Sequence, residues 1–341
     1  MEKTISKNNL KNPRNININS ILVISIAFIA VIAVSIFAKG FFSLRNLSNV
    51  LYQVSALGIL VLGITPVIII GQIDLSLATM MTTSAIIGVY TINKTGNITI
   101  GIIAALAVSI AVGAFNGLFI GKLKVVSFIV TLAVMIVGSG LAVLITMNKS
   151  VANLPAAYIK IGQGKIGIVP IPFFIFLFLA ICTHFLLNNH YIGRWVYSIG
   201  NNEKASKFCG IPIDLTIFLI FVFAGLMAGL SGVIQSAKLG SASASMGRQG
   251  VILDYIAAAT MGGVSIRGGK GTILNAILGT FFIVIISNSM NILGVGYYVT
   301  LIIKGVIIIF IVALDNINFD DIKLKMKAKK EEGSNAAGKN N

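Results

Sequence analysis

An all-α, polytopic membrane bundle is the fold class the sequence predicts, and three observations predict it. Of 341 residues, 56% are hydrophobic and only 11% charged, and mean hydropathy is +0.95, far from the balance of a soluble domain. Apolar runs of about eighteen residues or more recur, each long enough to cross the hydrocarbon core. The net charge of +16 gathers in tails and short connections, as the positive-inside rule distributes it. That pattern speaks for a lipid bilayer and against nucleic acid as partner.

Residues 1–20 carry Lys3, Lys7, Lys11 and Arg14 and are expected as a cytoplasmic tail. The transmembrane domain is expected over 21–314. Its first span is 21–38, uncleaved because no A-x-A site follows. The second, 50–70, has Ser43 or Ser48 as cap and Pro66 near its end. The break Gly71-Gln72-Ile73-Asp74-Leu75-Ser76 precedes a third span at 75–92. The fourth, 98–123, carries Gly113, Gly117 and Gly121 four apart, one face on which another helix backbone can approach closely. A turn with Lys122 and Lys124 leads to the fifth, 125–147.

A long polar loop is expected at 148–170, outside the cell, and a sixth span at 171–187. His184 and His190 flank the end of that span as interfacial residues. The seventh, 213–236, has Gly225 and Gly229 four apart. An outside loop of Ser, Ala and Gly then leads to a short segment at 251–266 and to the basic turn Arg267-Gly268-Gly269-Lys270-Gly271. Spans at 272–293 and 298–314 complete about ten, with both ends inside. The tail 315–341 carries KLKMKAKK and is expected to be cytoplasmic and largely disordered. A faint internal repeat matches 71–80 to 262–271, and SAIIG (84–88) to NAILG (275–279), the build of many transporters.

The polar stretch at 198–214 reads as a short helix, 203–209. Asn202 caps it, Glu203 suits its positive end and precedes Lys207 by four, Gly210 suits the left-handed exit, and Pro212 stops it. Ala205, Phe208 and Cys209 form a small apolar stripe. Two turns are unstable alone, so the helix either rests on the membrane surface or docks a soluble partner.

Chemistry is sparse. No H-E-x-x-H or G-x-S-x-G motif occurs. Gly268-Gly269-Lys270-Gly271-Thr272 fails as a phosphate loop because Gly271 stands where Ser or Thr must follow the lysine. Cys182 and Cys209 suggest neither disulfide nor metal. Asp74, Asp254, Lys304 and Lys238 are the ionisable residues expected in or near the membrane, where charge marks a pathway or a buried pair. Asp74 and Asp254 either cap half-helices or line a translocation path; Gln72 and Ser76 flank the first of them.

Three stretches together carry a resemblance: NLSNVLYQVSALGILVLGITPVIIIGQIDLSLATM (46–80), GNNEKASKFCGI (200–211) and DYIAAATMGGVSIRGGKGTILNAILGT (254–280). From 42 to 315 the chain resembles the ribose-type permeases of bacterial ABC sugar importers, in the branched permease family. The resemblance implies a type II ABC importer-like fold and a permease that pairs with a second copy. It implies a coupling loop at 189–214 that docks a cytoplasmic ABC ATPase through Gly200, Asn202, Glu203, Ala205, Gly210 and Ile211. Substrate, a monosaccharide, would come from an extracytoplasmic sugar-binding protein, at the bacterial plasma membrane. The chain itself would bind no cofactor, with ATP at the partner. Asn201, Ser206, Gln72, Ala78, Thr79 and Ile252 depart from the family's pattern. A nucleoside or signalling-sugar permease and an ion-coupled secondary transporter are the alternatives; a membrane enzyme ranks fourth, for want of a nucleophile–base pair.

Overall fold

Twelve helices and one short hairpin make up the residues that this computed structural model describes, 40–247 and 249–315. The expected first span (21–38) and the tails 1–20 and 316–341 lie outside the described residues. Helix α1 (Leu44–Ile69) starts at Ser43, one of its two expected caps, whose hydroxyl accepts from the Asn46 N–H at 3.3 Å. It ends three residues after Pro66, and Gly71 at φ +79° turns the chain into the break before α2 (Leu77–Thr95). Asn97 caps α3 (Ile98–Gly117), which a π turn extends over Leu118–Lys122. Then follow α4 (Ser127–Thr146), α5 (Ala156–Gln163), strands β1 (Lys165–Ile166) and β2 (Val169–Pro170), and α6 (Ile171–Asn188). The strands pair antiparallel, Lys165 opposite Pro170 and Ile166 opposite Val169. Helices α7 (Tyr191–Asn201), α8 (Glu203–Phe208), α9 (Ile213–Leu239), α10 (Gln249–Met261), α11 (Ile273–Ile292) and α12 (Tyr297–Asp315) complete the chain.

The bundle is built around α9, whose 27 residues span about 40 Å. Its closest neighbour is α3, and glycine sets that distance. A Cβ on Gly113 would lie 2.5 Å from the Phe221 carbonyl oxygen, one on Gly117 2.8 Å from Phe218 Cα, and one on Gly225 2.4 Å from the Ser109 carbonyl oxygen. The glycine faces seen in the sequence therefore meet each other, as close packing in lipid requires. Lys124 and Asp214 form an ion pair across the ends of the two helices. Gly113→Leu is expected to force the backbones apart, costing about 1–3 kcal/mol or more, read as a lowered melting temperature of the purified protein.

Polarity is distributed for a bilayer. Buried Ser, Thr and Asn side chains bond inside the bundle, many to the carbonyl four residues back, as Thr65 does to Val61 at 2.6 Å and Thr83 to Thr79 at 2.7 Å. Large apolar side chains point outward instead, among them Ile136, Val137 and Leu144 of α4 and Phe178 of α6, all more than half exposed. In water such a surface would aggregate; in lipid it is solvated. Among the described residues, six helical segments are long and apolar enough to cross a membrane: Leu44–Ile69, Ile98–Lys122, Ser127–Thr146, Ile171–Asn188, Ile213–Leu239 and Ile273–Ile292.

Two expected loops are more ordered than the sequence suggests. Residues 148–170 hold α5 and the hairpin, folded over the C-terminal end of α9: the Tyr158 hydroxyl lies 2.7 Å from Ser236 Oγ. Its aromatic anchor, not its polarity, decides. The Ser/Ala/Gly connection after α9 is not a surface loop either. Ala242 bridges to Val151 in both directions, and Gly247 packs against Ala78 and Thr82 inside the bundle. Small residues let this backbone enter. The two stretches of the faint repeat also differ in packing. Gly88 seats on α3 through Gly101 and Ala105, whereas Gly279 seats on α10 through the Ala258 carbonyl.

Candidate functional site

The loop 189–214, expected from the resemblance to be a coupling loop, lies at the N-terminal end of α9, opposite the end that α5 covers. It holds two helices, of which the sequence reading found one. The missed helix, α7, starts at His190, whose Nδ1 accepts from the Ile192 N–H at 3.3 Å. Its signal was present: Gly193, Val196 and Tyr197, at spacings of three and four, are the buried face of an amphipathic helix. Then Asn202 caps α8 as expected, accepting from the Ala205 N–H at 2.9 Å, and Gly210 leaves at φ +76°. Glu203 and Lys207 stay exposed and form no ion pair; among the described residues the pairs are Lys124–Asp214 and Lys304–Asp254. Ala205, Phe208 and Cys209 are exposed, Phe208 by 93%. The apolar stripe of α8 faces away from its own bundle.

Gly200 ties this loop to both helix breaks. A Cβ there would lie 1.8 Å from the Ile69 carbonyl oxygen and 2.5 Å from Gly269 N. Gly269, at φ +73°, donates its N–H to that same Ile69 oxygen at 2.8 Å, and the Tyr197 hydroxyl donates to the Gly271 carbonyl at 2.7 Å. Thus α7, the end of α1 and the turn after α10 meet where only glycine fits.

Gln72, Asp74 and Ser76 lie in the break, Gln72 half-buried and the other two fully buried. Asp74 Oδ1 accepts from the Ser76 N–H at 2.8 Å and from the Ser76 hydroxyl at 2.6 Å, closing the chain just before α2. Ser127 Oγ accepts from the Ile73 N–H at 3.2 Å, and the Tyr255 hydroxyl donates to the Asp74 carbonyl at 3.0 Å. Asp74 therefore braces the entry to α2, though Ser76, not Asp74, stands at the cap position of that helix. Asp254 does not: it lies within α10, on another wall.

That wall belongs to a cavity of about 400 Å³ between α1, α2, α9, α10, α11 and α12, in the range of small-molecule sites. Tyr52, Gln53, Gln235, Ser287, Asn291 and Thr300 give it hydrogen-bonding groups; Leu60 and Met81 are apolar. Lys304 Nζ donates to both oxygens of Asp254 at 2.8 and 3.0 Å. The Tyr52 hydroxyl donates to Gln235 Oε1 at 2.6 Å, and Lys238 Nζ stands 4.6 Å from the Tyr52 ring centre. Tyr52, Gln235 and Lys238 belong to the end of the bundle that α5 covers, so the cavity runs inward from the end opposite α8. Of the four path residues named from the sequence, Asp254 lines it; Gln72, Asp74 and Ser76 are in the break, reached through Tyr255 next to Asp254. Lys304, Gln235 and Tyr52 were not named as path residues: 304 is 50 positions from its partner, and periodicity does not reveal which apolar-face residues enclose space. Among the described residues no cluster of His, Cys, Asp or Glu could hold a metal ion.

Residues 46–312 match the protein family described as branched-chain amino acid transport system, permease component. The ribose import permease protein of Escherichia coli K12 is 33% identical over 296 residues, 85% of this chain and 92% of that protein. That of Bacillus subtilis 168 is 34% identical over 290 residues, 84% and 90% of the two chains. The L-arabinose transport system permease protein of Escherichia coli K12 is 29% identical over 299 residues, 88% and 89%. No solved structure matches. The family match over most of the chain's length, together with its lipid-facing apolar helices, makes the chain a multi-pass membrane transport subunit, and it belongs to the family of branched-chain amino acid transport system permease components.

Proposed function

We propose that this chain is the membrane-spanning subunit of an ATP-binding-cassette importer that brings a monosaccharide, a ribose-like pentose or a hexose, into a bacterial cell. The observation that carries the reading is the cavity at the end of the bundle opposite α8. Its walls offer hydroxyl and amide groups, and its two charges neutralise each other. A neutral polyol finds donors and acceptors there, whereas an amino acid zwitterion would have to break the Asp254–Lys304 pair to find partners for its own charges. Three relatives named for ribose and arabinose agree with a sugar over an amino acid. In this reading the mouth of the cavity faces outward to a sugar-binding protein. The loop 189–214 and both termini face the cytoplasm, and a second copy of the chain completes the permease. Asp254 lines the path, and Gln72, Asp74 and Ser76 form its closed inner end.

ATP is bound by a separate ATPase, which α8 contacts through Ala205 and Phe208, with Gly200, Asn202, Glu203, Gly210 and Ile211 shaping the loop. The test is uptake by proteoliposomes containing this chain, its ATPase and its binding protein. Labelled ribose, arabinose or xylose is expected to enter only with ATP and both partners, and leucine is not. Uptake by the chain alone under a proton or sodium gradient would favour the ion-coupled alternative. Ala205→Arg, which adds bulk and charge to the exposed stripe, is expected to abolish co-purification of the ATPase while the permease still inserts. If co-purification survives, α8 is a surface link.

A further inference from the structure

Two buried side-chain atoms have no hydrogen-bond partner among the described residues, Asp74 Oδ2 and Asn116 Oδ1. They belong to the two side chains that bond one hydroxyl. Ser76 Oγ is 2.6 Å from Asp74 Oδ1 and 2.9 Å from Asn116 Nδ2. A serine has a single hydroxyl hydrogen. Ser76 uses it on Asp74 Oδ1, so Asn116 must turn its NH₂ to Ser76 and is left with a carbonyl oxygen that nothing donates to.

The carboxyl group of Asp74 is equally one-sided. Oδ1 accepts twice, from the Ser76 N–H and O–H, and Oδ2 not at all. That asymmetry belongs to a carboxylic acid, whose C=O oxygen accepts while its O–H donates; an ionised carboxylate needs donors on both oxygens. Both residues are fully buried, leaving no surface for a water molecule to touch. The ion pairs among the described residues leave Asp74 without a cation. The titratable side chain bonded to the break is Tyr255, and its hydroxyl goes to the Asp74 main chain, not to the carboxyl group. From α4, Ser127 and Thr131 bond only to Ile73 and their own helix. An ionised carboxylate in such a place is far costlier than a neutral acid.

We propose that Asp74 is a proton-holding site, carrying a proton on Oδ2 toward Asn116 Oδ1 and so fastening the α1–α2 break to α3. A hydrogen atom on Oδ2 would supply the donor that Asn116 Oδ1 lacks and give Oδ2 the partner that it lacks. Any rearrangement that wets the break would release the proton. Raising the pH would then shift the equilibrium toward the wetted state by up to about tenfold per unit, the limit for one proton. This site is independent of which solute the permease carries.

Infrared difference spectra of the full-length chain in lipid nanodiscs at neutral pH test it, wild type minus Asp74→Asn. The expected result is a carboxylic acid C=O band in the wild type that the variant lacks. Carboxylate bands in its place overturn the proposal, as does a band that disappears when sodium replaces potassium, which would mark a cation site. Asparagine keeps the acceptor oxygen and supplies an N–H to Asn116, so Asp74→Asn is expected to melt with the wild type and Asp74→Leu well below it. An Asp74→Asn chain that fails to fold, or melts no higher than Asp74→Leu, also overturns the proposal.

Discussion

Lys304→Met is expected to destabilise the protein by about 3 kcal/mol, near the lower end of what removing one partner from a buried ion pair costs. The side chain of Lys304 is 10% exposed and that of Asp254 21%, with both carboxylate oxygens held by the one ammonium group. Methionine fills much of the lysine's volume and removes only the charge and its donors. Asp254 then keeps a charge in a cavity wall with nothing to balance it. The cavity can admit water, which is why the lower end applies. The effect should be coupled: Lys304→Met with Asp254→Asn is expected to recover most of the loss. Melting temperatures of the four purified proteins form the double-mutant cycle. Additive losses would show that Lys304 matters for packing alone.

This pair marks the boundary of what the sequence made legible. Charges in apolar runs are conspicuous, so Asp74, Asp254 and Lys304 stood out as costly membrane residues without any structure. Which groups they pair with did not. Asp254 meets a lysine 50 positions on, whereas Asp74 meets a serine two positions on. Local geometry, namely caps, breaks and left-handed glycines, was legible because it is written within a few residues. Asn202, Gly210 and the glycine face of α3 are cases. The segments 148–170 and 241–247 misled because polarity and small size are ambiguous. Ser, Ala and Gly suit a solvated loop, and they equally suit a backbone pressed between helices, as Gly247 is against Ala78. Helix α7 was obscured in another way: its eleven residues run directly into the cap of α8, and the polar stretch drew attention away from the buried face before it.

Gly200→Val is expected to separate ATP hydrolysis from transport while leaving the ATPase bound. Gly200 is not on the exposed stripe of α8, so the proposed docking contact is expected to survive; what changes is the seat of α7. A valine Cβ would need the space of the Ile69 carbonyl oxygen, 1.8 Å away, and of Gly269 N, 2.5 Å away. Both are backbone atoms, and rotamer changes cannot relieve the clash. The Gly269 N–H to Ile69 bond, 2.8 Å long, lies directly in the way and is expected to open. The end of α1 and the turn after α10 would then move independently of the loop. The Tyr197 hydroxyl on the Gly271 carbonyl would still tie α7 to that turn. Couplings between sites in proteins run from about 5- to 150-fold, and the number of solute molecules moved per ATP should fall within that range. Because the clash begins at Cβ, Gly200→Ala should already show part of the loss, which a requirement for low bulk alone would not give. Tyr197→Phe, which removes one hydrogen bond worth about 1 kcal/mol, should weaken coupling less than either. The measurement is ATP hydrolysed and solute accumulated in the same proteoliposomes, for wild type and the three variants. If Gly200→Val left their ratio unchanged, motion of α8 would reach the cavity by some route other than the junction of α7, α1 and the turn after α10.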